Sequence, residues 1–236
     1  MKERIWLSSP HMGGAEQKYV QEAFDTNWVA PIGPNVNEFE NAIQKYIGQN
    51  KFVAALSSGT AALHLALILA NVNSEDVVIC QSLTFAATVN PILYRGATPI
   101  FVDSEPETWN MDPELLEKAI TESIAKEKLP KAIVVVDIYG VPAKLNEISK
   151  IANKYNIQLI EDAAEALGSS LDNRMCGTYG DFGVFSFNGN KIITTSGGGA
   201  LIVTNLYQKK EAIYLSSQAK SDVHFYEHKK VGYNYR

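Results

Sequence analysis

The sequence predicts an α/β domain, with a mostly parallel sheet sandwiched by helices, and three observations lead there. Short apolar runs alternate with amphipathic stretches along most of the chain. The runs are continuous Val, Ile and Ala, as expected of strands buried on both faces. The stretches between them are long enough to serve as crossover helices.

Taken in order, "KFVAAL" (51–56) reads as a strand and "TAALHLALILA" (60–70) as the helix after it. "DVVICQ" (76–81) and "TFAATVNPILY" (84–94) repeat the pattern, as do "PIFVD" (99–103) and "DPELLEKAITESIAKE" (112–127). The last of these carries a strong helix start, with Asp112 placed to cap the free amides and Pro113 at the first helical position. "KAIVVVD" (131–137), "AKLNEISKIANKYN" (143–156) and "IQLIED" (157–162) continue the alternation. In such sheets ligands sit at the carboxyl ends of the strands, which ranks the motifs that follow.

At 236 residues the chain suits one large domain, or one with a small appendage. Its 46% hydrophobic and 20% charged content suits a globular core. A net charge of −5 gives no electrostatic case for nucleic acid or an anionic membrane, so an anionic ligand must be held by a few placed groups. Cys80 and Cys176 are too few for a disulfide framework and lack metal-site spacing, which fits a reducing compartment. "MKERIWLSSPHMGG" has no apolar export region, and a cytoplasmic location is expected.

Three motifs could carry chemistry. "LSSGTAAL" (56–63) sits at a strand-to-helix junction, where Ser58, Gly59 and Thr60 suit either an ordinary helix cap or an anion cradle. It matches neither the Walker loop nor the dinucleotide glycine fingerprint. In "IQLIEDAAEALGS" (157–169), Glu161, Asp162 and Glu165 crowd a strand end. Asp162 closes a run that should be buried, so its carboxylate needs a cationic or hydrogen-bonding partner or its pKa rises. In "FSFNGNKIITTSGGGALIVT" (185–204), Lys191 follows Ser186 and Asn188, read here as two apart on one strand face. A lysine at a surface strand is common, yet a partly desolvated amine is also a nucleophile for carbonyls. An anion cradle, a buried acid and a lysine, in this order, match what pyridoxal 5'-phosphate needs from a protein.

Other residues are weaker candidates. His64 lies on an apolar helix and reads as a packed core residue; His11 is isolated. His224 and His228 are four apart, but no third metal ligand is evident and a solvated helix face is the simpler reading. Trp28 suits either an aromatic wall for a nucleotide or sugar, or turn packing. Tyr139, just past a strand end in "VDIYG", could border a ligand ring, and "SGGGA" (196–200) gives a tight backbone path.

"SSGTAALHLAL", "TFAATVNPILYRGATPIFVD", "EDAAEALGS", "GDFGVFSFNGNKIITTSGGGALIVT" and "GYNYR" together resemble the DegT/DnrJ/EryC1/StrS family of pyridoxal-phosphate-dependent sugar aminotransferases, of fold type I. The resemblance implies that Lys191 bonds covalently to the cofactor and moves a proton, while Asp162 pairs with its ring nitrogen. It implies Gly59, Thr60 and Ser186 on the phosphate, with Ser58 in the same turn, and Phe85 stacked on the ring. Glu165 and Asn188 stand where other members carry His or Gln, and His. Asn234, and more remotely Arg236, would reach a phosphate across a homodimer interface. The resemblance further implies L-glutamate as amino donor and a nucleotide-linked 4-keto-6-deoxy sugar as acceptor. Members acting on UDP-linked N-acetylhexosamines are the most similar, and a catalytically silent ligand-binding protein on the same fold is the alternative. Residues 1–35 are then expected to pack on a cofactor domain of 36–236, with the chain stopping short of a small C-terminal domain.

Overall fold

The computed structural model describes residue 4 and residues 11–30, 32–48 and 50–236. Among these, α1 (Glu16–Asp25) and α2 (Pro34–Ile47) precede β1 (Phe52–Leu56), α3 (Gly59–Leu69), β2 (Val77–Gln81) and α4 (Ala86–Tyr94). Then follow β3 (Thr98–Val102), α5 (Pro113–Ala125), β4 (Ala132–Val136), α6 (Leu145–Tyr155) and β5 (Gln158–Asp162). A small hairpin, β6 (Ser170–Leu171) and β7 (Arg174–Met175), leads to β8 (Phe182–Ser186), β9 (Gly199–Val203) and α7 (Leu206–Ser216).

The main sheet has seven strands in the order β1-β9-β8-β5-β4-β2-β3. β2 pairs parallel with β3 and β4, and β5 pairs parallel with β4 and β8. β9 runs antiparallel to both its neighbours, β1 and β8. The mostly parallel sheet expected from the apolar runs is therefore present. β3 lies at the edge, which tolerates Pro99 because no inward neighbour needs its missing amide donor.

Alternation along the buried strands feeds two cores, one on each face. Ile79, Ile133, Val135 and Leu159 meet Ile43, Leu116 and Ile148 on the α2, α5 and α6 side. Val78, Val134, Ile160 and Val184 meet Leu63, Leu67 and Ile92 on the α3 and α4 side. The same two-residue period must send Glu161 to the first face and Asp162 to the second. That separation matters below.

Asp112 caps α5 as expected, accepting from the amides of Glu114 (2.8 Å) and Leu115 (3.2 Å). Several expectations need correcting. Residues 224 and 228 lie in an irregular segment, not on a helix, with His228 Nδ1 2.8 Å from the Gln218 carbonyl oxygen. Asn188 lies two residues past the end of β8, so it shares no strand face with Ser186. The expectation for segment 1–35 is a separate matter: residues 1–3, 5–10 and 31 fall outside the described residues, and α1 has no fully buried side chain.

The "SGGGA" path has a specific steric reason at Gly199. A Cβ there would fall on the backbone between Ser58 and Gly59. β9 thus passes against the turn that opens α3, where any side chain would push that turn aside. Gly199→Ala is expected to cost about 1–3 kcal/mol, the usual range for overpacking a tight contact, read by urea denaturation.

Candidate active site

The carboxyl edge of the sheet gathers the predicted residues. Asp162 ends β5, Ser186 ends β8, and Ser58 stands two residues past the end of β1. With Gly59, Thr60, Phe85, Glu165, Asn188 and Lys191, these line a single cavity of 640 Å³. Asn234 does not line it.

One end of the cavity gathers hydrogen-bond donors at the start of α3. Ser58 caps α3, its Oγ accepting from the Ala61 amide at 3.0 Å, so the ordinary-cap reading is correct. The cradle reading survives beside it: a capping hydroxyl still has its own proton to donate. The amides of Gly59 and Thr60 open the helix, where geometry leaves them without intrahelical partners. Gly59 lies so close to β8 that a Cβ there would be 3.0 Å from the Ser186 Cβ. Hydroxyls, free amides and the positive end of the helix dipole converge on one spot.

The acid lies deeper. Asp162 is 4% exposed, and Oδ2 accepts from Thr88 Oγ1 at 2.7 Å. Oδ1 accepts from the Ala164 amide at 3.3 Å. Both donors are neutral. Burial pushes the carboxyl pKa up, and the Thr88 hydrogen bond only partly opposes it. Thr88 also lies 2.7 Å from Thr84 Oγ1. Since the Thr88 proton goes to Asp162, Thr84 must donate to Thr88, which fixes the direction of the chain of hydroxyls.

Lys191 reaches the same cavity from the β8–β9 connection. Its Nζ is 3.0 Å from Glu165 Oε1, and both side chains are mostly covered. Glu165 Oε2 accepts from the Tyr139 amide at 2.9 Å. The carboxylate therefore bridges the lysine to the loop after β4. Tyr139 holds a left-handed backbone (φ +52°), uncommon for a bulky residue, while its ring stays 70% exposed at the cavity. Gly140 continues the turn at φ +79°, where a Cβ would sit 2.8 Å from the Glu165 carbonyl. Phe85, at the N-terminus of α4, projects into the cavity and is 76% exposed.

Other candidates sort differently. His64 is a core residue, as expected: it meets Tyr94, Tyr233 and Tyr235 edge-on, and burial lowers its pKa to about 4. The Cys80 thiol is buried and its pKa is pushed up to about 12. Trp28 packs on Gly33, the turn-packing alternative, and is not part of the cavity. Asn234 accepts from Gln218 Nε2 at 2.9 Å on the surface. Arg236 is corrected outright, because it is an internal anchor. Its guanidinium lies 2.7 Å from Glu40, a buried acid that also holds Lys209 at 2.8 Å.

Sequence reading passed over Thr84 and Thr88. A signal existed: "TFAAT" places two hydroxyls four apart across a helix start, hence on one face. It also grouped Glu161 with Asp162, which the sheet separates.

Comparison with known proteins fits this geometry. Residues 10–236 match the DegT/DnrJ/EryC1/StrS aminotransferase family. A Bacillus subtilis relative, EpsN, is 51% identical over the whole chain, and its name assigns it provisionally to the pyridoxal phosphate-dependent aminotransferases. A GDP-perosamine synthase from Escherichia coli O157:H7 is 40% identical over 98% of the chain. The chain spans 61% and 62% of the lengths of these two relatives. A crystal structure of a DegT DnrJ EryC1 StrS aminotransferase from Brucella abortus superposes with a TM-score of 0.85 at 33% identity, over 96% of this chain and 64% of that one. Sequence, fold and site geometry agree, and the chain belongs to the DegT/DnrJ/EryC1/StrS aminotransferase family.

Proposed function

We propose that this chain carries the cofactor platform of a pyridoxal-phosphate-dependent aminotransferase acting on nucleotide sugars. One observation carries the reading: the Lys191 amine and the buried Asp162 carboxyl open on one cavity that also holds the helix-end anion cradle. The residues fit the cofactor. Asp162 is hydrogen-bonded only to neutral donors and has a raised pKa, with Lys191 acting on it only through space, so a protonated ring nitrogen would give it a directly bonded cationic partner. When bound, pyridoxal phosphate supplies an aldehyde that takes up an amine and a ring that accepts the electrons released at carbon.

The chain's own residues then divide the work. Asp162 would hold the ring nitrogen, with Thr88 fixing the carboxyl from the opposite side. Ser58, Gly59, Thr60 and Ser186 would hold the phosphate, and Phe85 would cover the ring face. Glu165 would position the Lys191 amine through its 3.0 Å contact and could accept its proton, so that the freed amine could serve as the nucleophile for a carbonyl and later carry a proton between donor and acceptor. Asn188 borders the cavity beside Lys191. Asn234, exposed and outside this cavity, suits a site completed by a second copy in a homodimer.

The proposed reaction moves the amino group of L-glutamate to the C4 ketone of a nucleotide-linked 4-keto-6-deoxy sugar. The stretches "EDAAEALGS" and "FNGNK" and the opening "SSPHMGG…NWVAPIGPNVNEFE" favour a UDP-linked N-acetylhexosamine, whereas the relative named for a GDP-linked product keeps GDP in view. A panel of UDP-, GDP- and dTDP-4-keto-6-deoxy sugars with glutamate, read by product mass, separates these. The silent-binder alternative is tested by the same panel, since it expects no aminated product from any of them. Residues 36–236 would form the cofactor domain, with the extra length of the relatives supplying a small C-terminal domain.

Lys191→Ala is expected to lower 2-oxoglutarate release from glutamate by about 10³-fold, within the usual range for losing an acid–base group. Turnover at the normal rate would refute the role. Thr88→Val is expected to raise the Asp162 pKa further, because it removes the donor that favours the ionised form. A pH titration of the carboxyl carbon by NMR reads that shift.

A further inference from the structure

Beneath the cavity, on the opposite face of the sheet, lies a second acidic pair that the proposed reaction does not use. Asp137 is 1% exposed and Glu161 0%. One carboxylate oxygen of each and the Cys176 sulfur lie within 4.8 Å of one another. The hydrogen bonds are unequal. Glu161 accepts from the Gly177 amide through Oε1 (2.6 Å) and from the Tyr179 amide through Oε2 (2.7 Å). Asp137 Oδ1 accepts from the Ala143 amide at 2.9 Å, but Oδ2 is buried with no partner as an acceptor.

Two carboxylates this close in a dry interior do not both ionise. Glu161 is committed as an acceptor on both oxygens, which is the ionised pattern. The unmatched atom is Asp137 Oδ2. We propose that Asp137 is kept as a neutral carboxylic acid that donates its Oδ2 proton to ionised Glu161, and that this pair positions the cofactor-facing loops above it.

The surrounding charges support that assignment. Lys51, whose Nζ donates to the Gly180 carbonyl at 3.1 Å, acts electrostatically on Glu161. Arg174 lies over the Tyr179 ring, and Asp181 is occupied by the Leu159 amide at 2.9 Å. The Cys176 thiol stays protonated, because burial and both acids push its pKa up. Burial and the Glu161 charge likewise drive the Asp137 pKa well above the ordinary carboxyl range. A divalent cation would need Asp137 ionised and Glu161 oxygens that the two amides already hold.

The positioning role follows from connectivity. The Asp137 amide donates to the Asp162 carbonyl (3.2 Å), and its side chain closes the loop to Ala143. That loop presents the Tyr139 amide to Glu165, which in turn holds Lys191. Glu161 pins the turn at Gly177–Tyr179 that feeds β8 and Ser186. The pair thus ties together the approaches to both the lysine and the anion cradle. This positioning half rests on the functional reading above, whereas the placement of the proton does not.

Carbon-13 NMR of the side-chain carboxyls in the wild-type protein decides the proton directly. Asp137 is expected to show the shift of a neutral acid, and Glu161 that of a carboxylate, at pH 7. An ionised Asp137, or a stoichiometric divalent metal found by elemental analysis, overturns the assignment. Asp137→Asn keeps a donor toward Glu161 and, at about pH 4, where the ionisation of unfolded Asp137 costs wild type little, is expected to melt within about 2 °C of wild type. Asp137→Ala and Glu161→Gln lose about 6 °C or more, as for breaking a buried polar pair.

A raised native pKa gives stability that is lost as pH climbs from the unfolded value toward the native one. Asp137→Asn, which lacks that group, should therefore gain on wild type as pH rises above about 4. Asp137→Asn as damaging as the alanine variant overturns the proposal. Pyridoxal phosphate affinity, read by absorbance, should fall at least tenfold in Glu161→Gln and within threefold in Asp137→Asn. Unchanged affinity in Glu161→Gln overturns the positioning half. Wild-type protein that takes up no cofactor overturns the functional reading and that half with it, while the carboxyl shifts still decide the proton.

Discussion

The arrangement depends on one constraint: a carboxyl group buried at the end of a parallel strand with only neutral hydrogen-bond donors. Asp162 ends β5 between β4 and β8, so the sheet fixes its backbone from both sides. Its side chain is held by a threonine and an amide, which orient it without neutralising it. Water is largely excluded, so the charge is costly until a cation arrives. The cavity, the cradle and the lysine are arranged around that site.

The sheet's alternation gives two neighbouring acids different lives. Asp162 faces α4 and the cavity, while Glu161 faces the other core with Cys176 and Tyr179. One is left short of a positive partner; the other is satisfied by backbone amides. A single-residue slip in β5 would exchange them and disable both. Continuous burial on both faces sets this register firmly, because a slip would also turn Leu159 and Ile160 to the wrong cores.

Much of this was legible in the sequence because it rests on local pattern. Continuous apolar runs gave buried parallel strands, Asp112-Pro113 gave the α5 start, and the strand-end rule pointed to Ser58, Asp162 and Lys191, which the fold brings to one cavity. What escaped depends on distance in space. The opposite orientations of Glu161 and Asp162 require knowing where β5 begins. The reversed strand β9 is set by its pairing with β1, some 150 residues away. Arg236 looked free for a phosphate because Glu40, its buried partner, is nearly the full chain distant. Tyr139 could be named as a neighbour but not as a residue in a left-handed turn whose amide holds Glu165.

The central claim is that Lys191 is the amine that would bond to the aldehyde of a vitamin B6 cofactor, with Asp162 as the partner of its ring nitrogen. The most direct measurement adds pyridoxal phosphate, reduces with borohydride, digests the protein and locates the retained label by mass spectrometry. The account expects one phosphopyridoxyl group per chain, on the peptide containing Lys191. A label spread over surface lysines, or absent altogether, would contradict it.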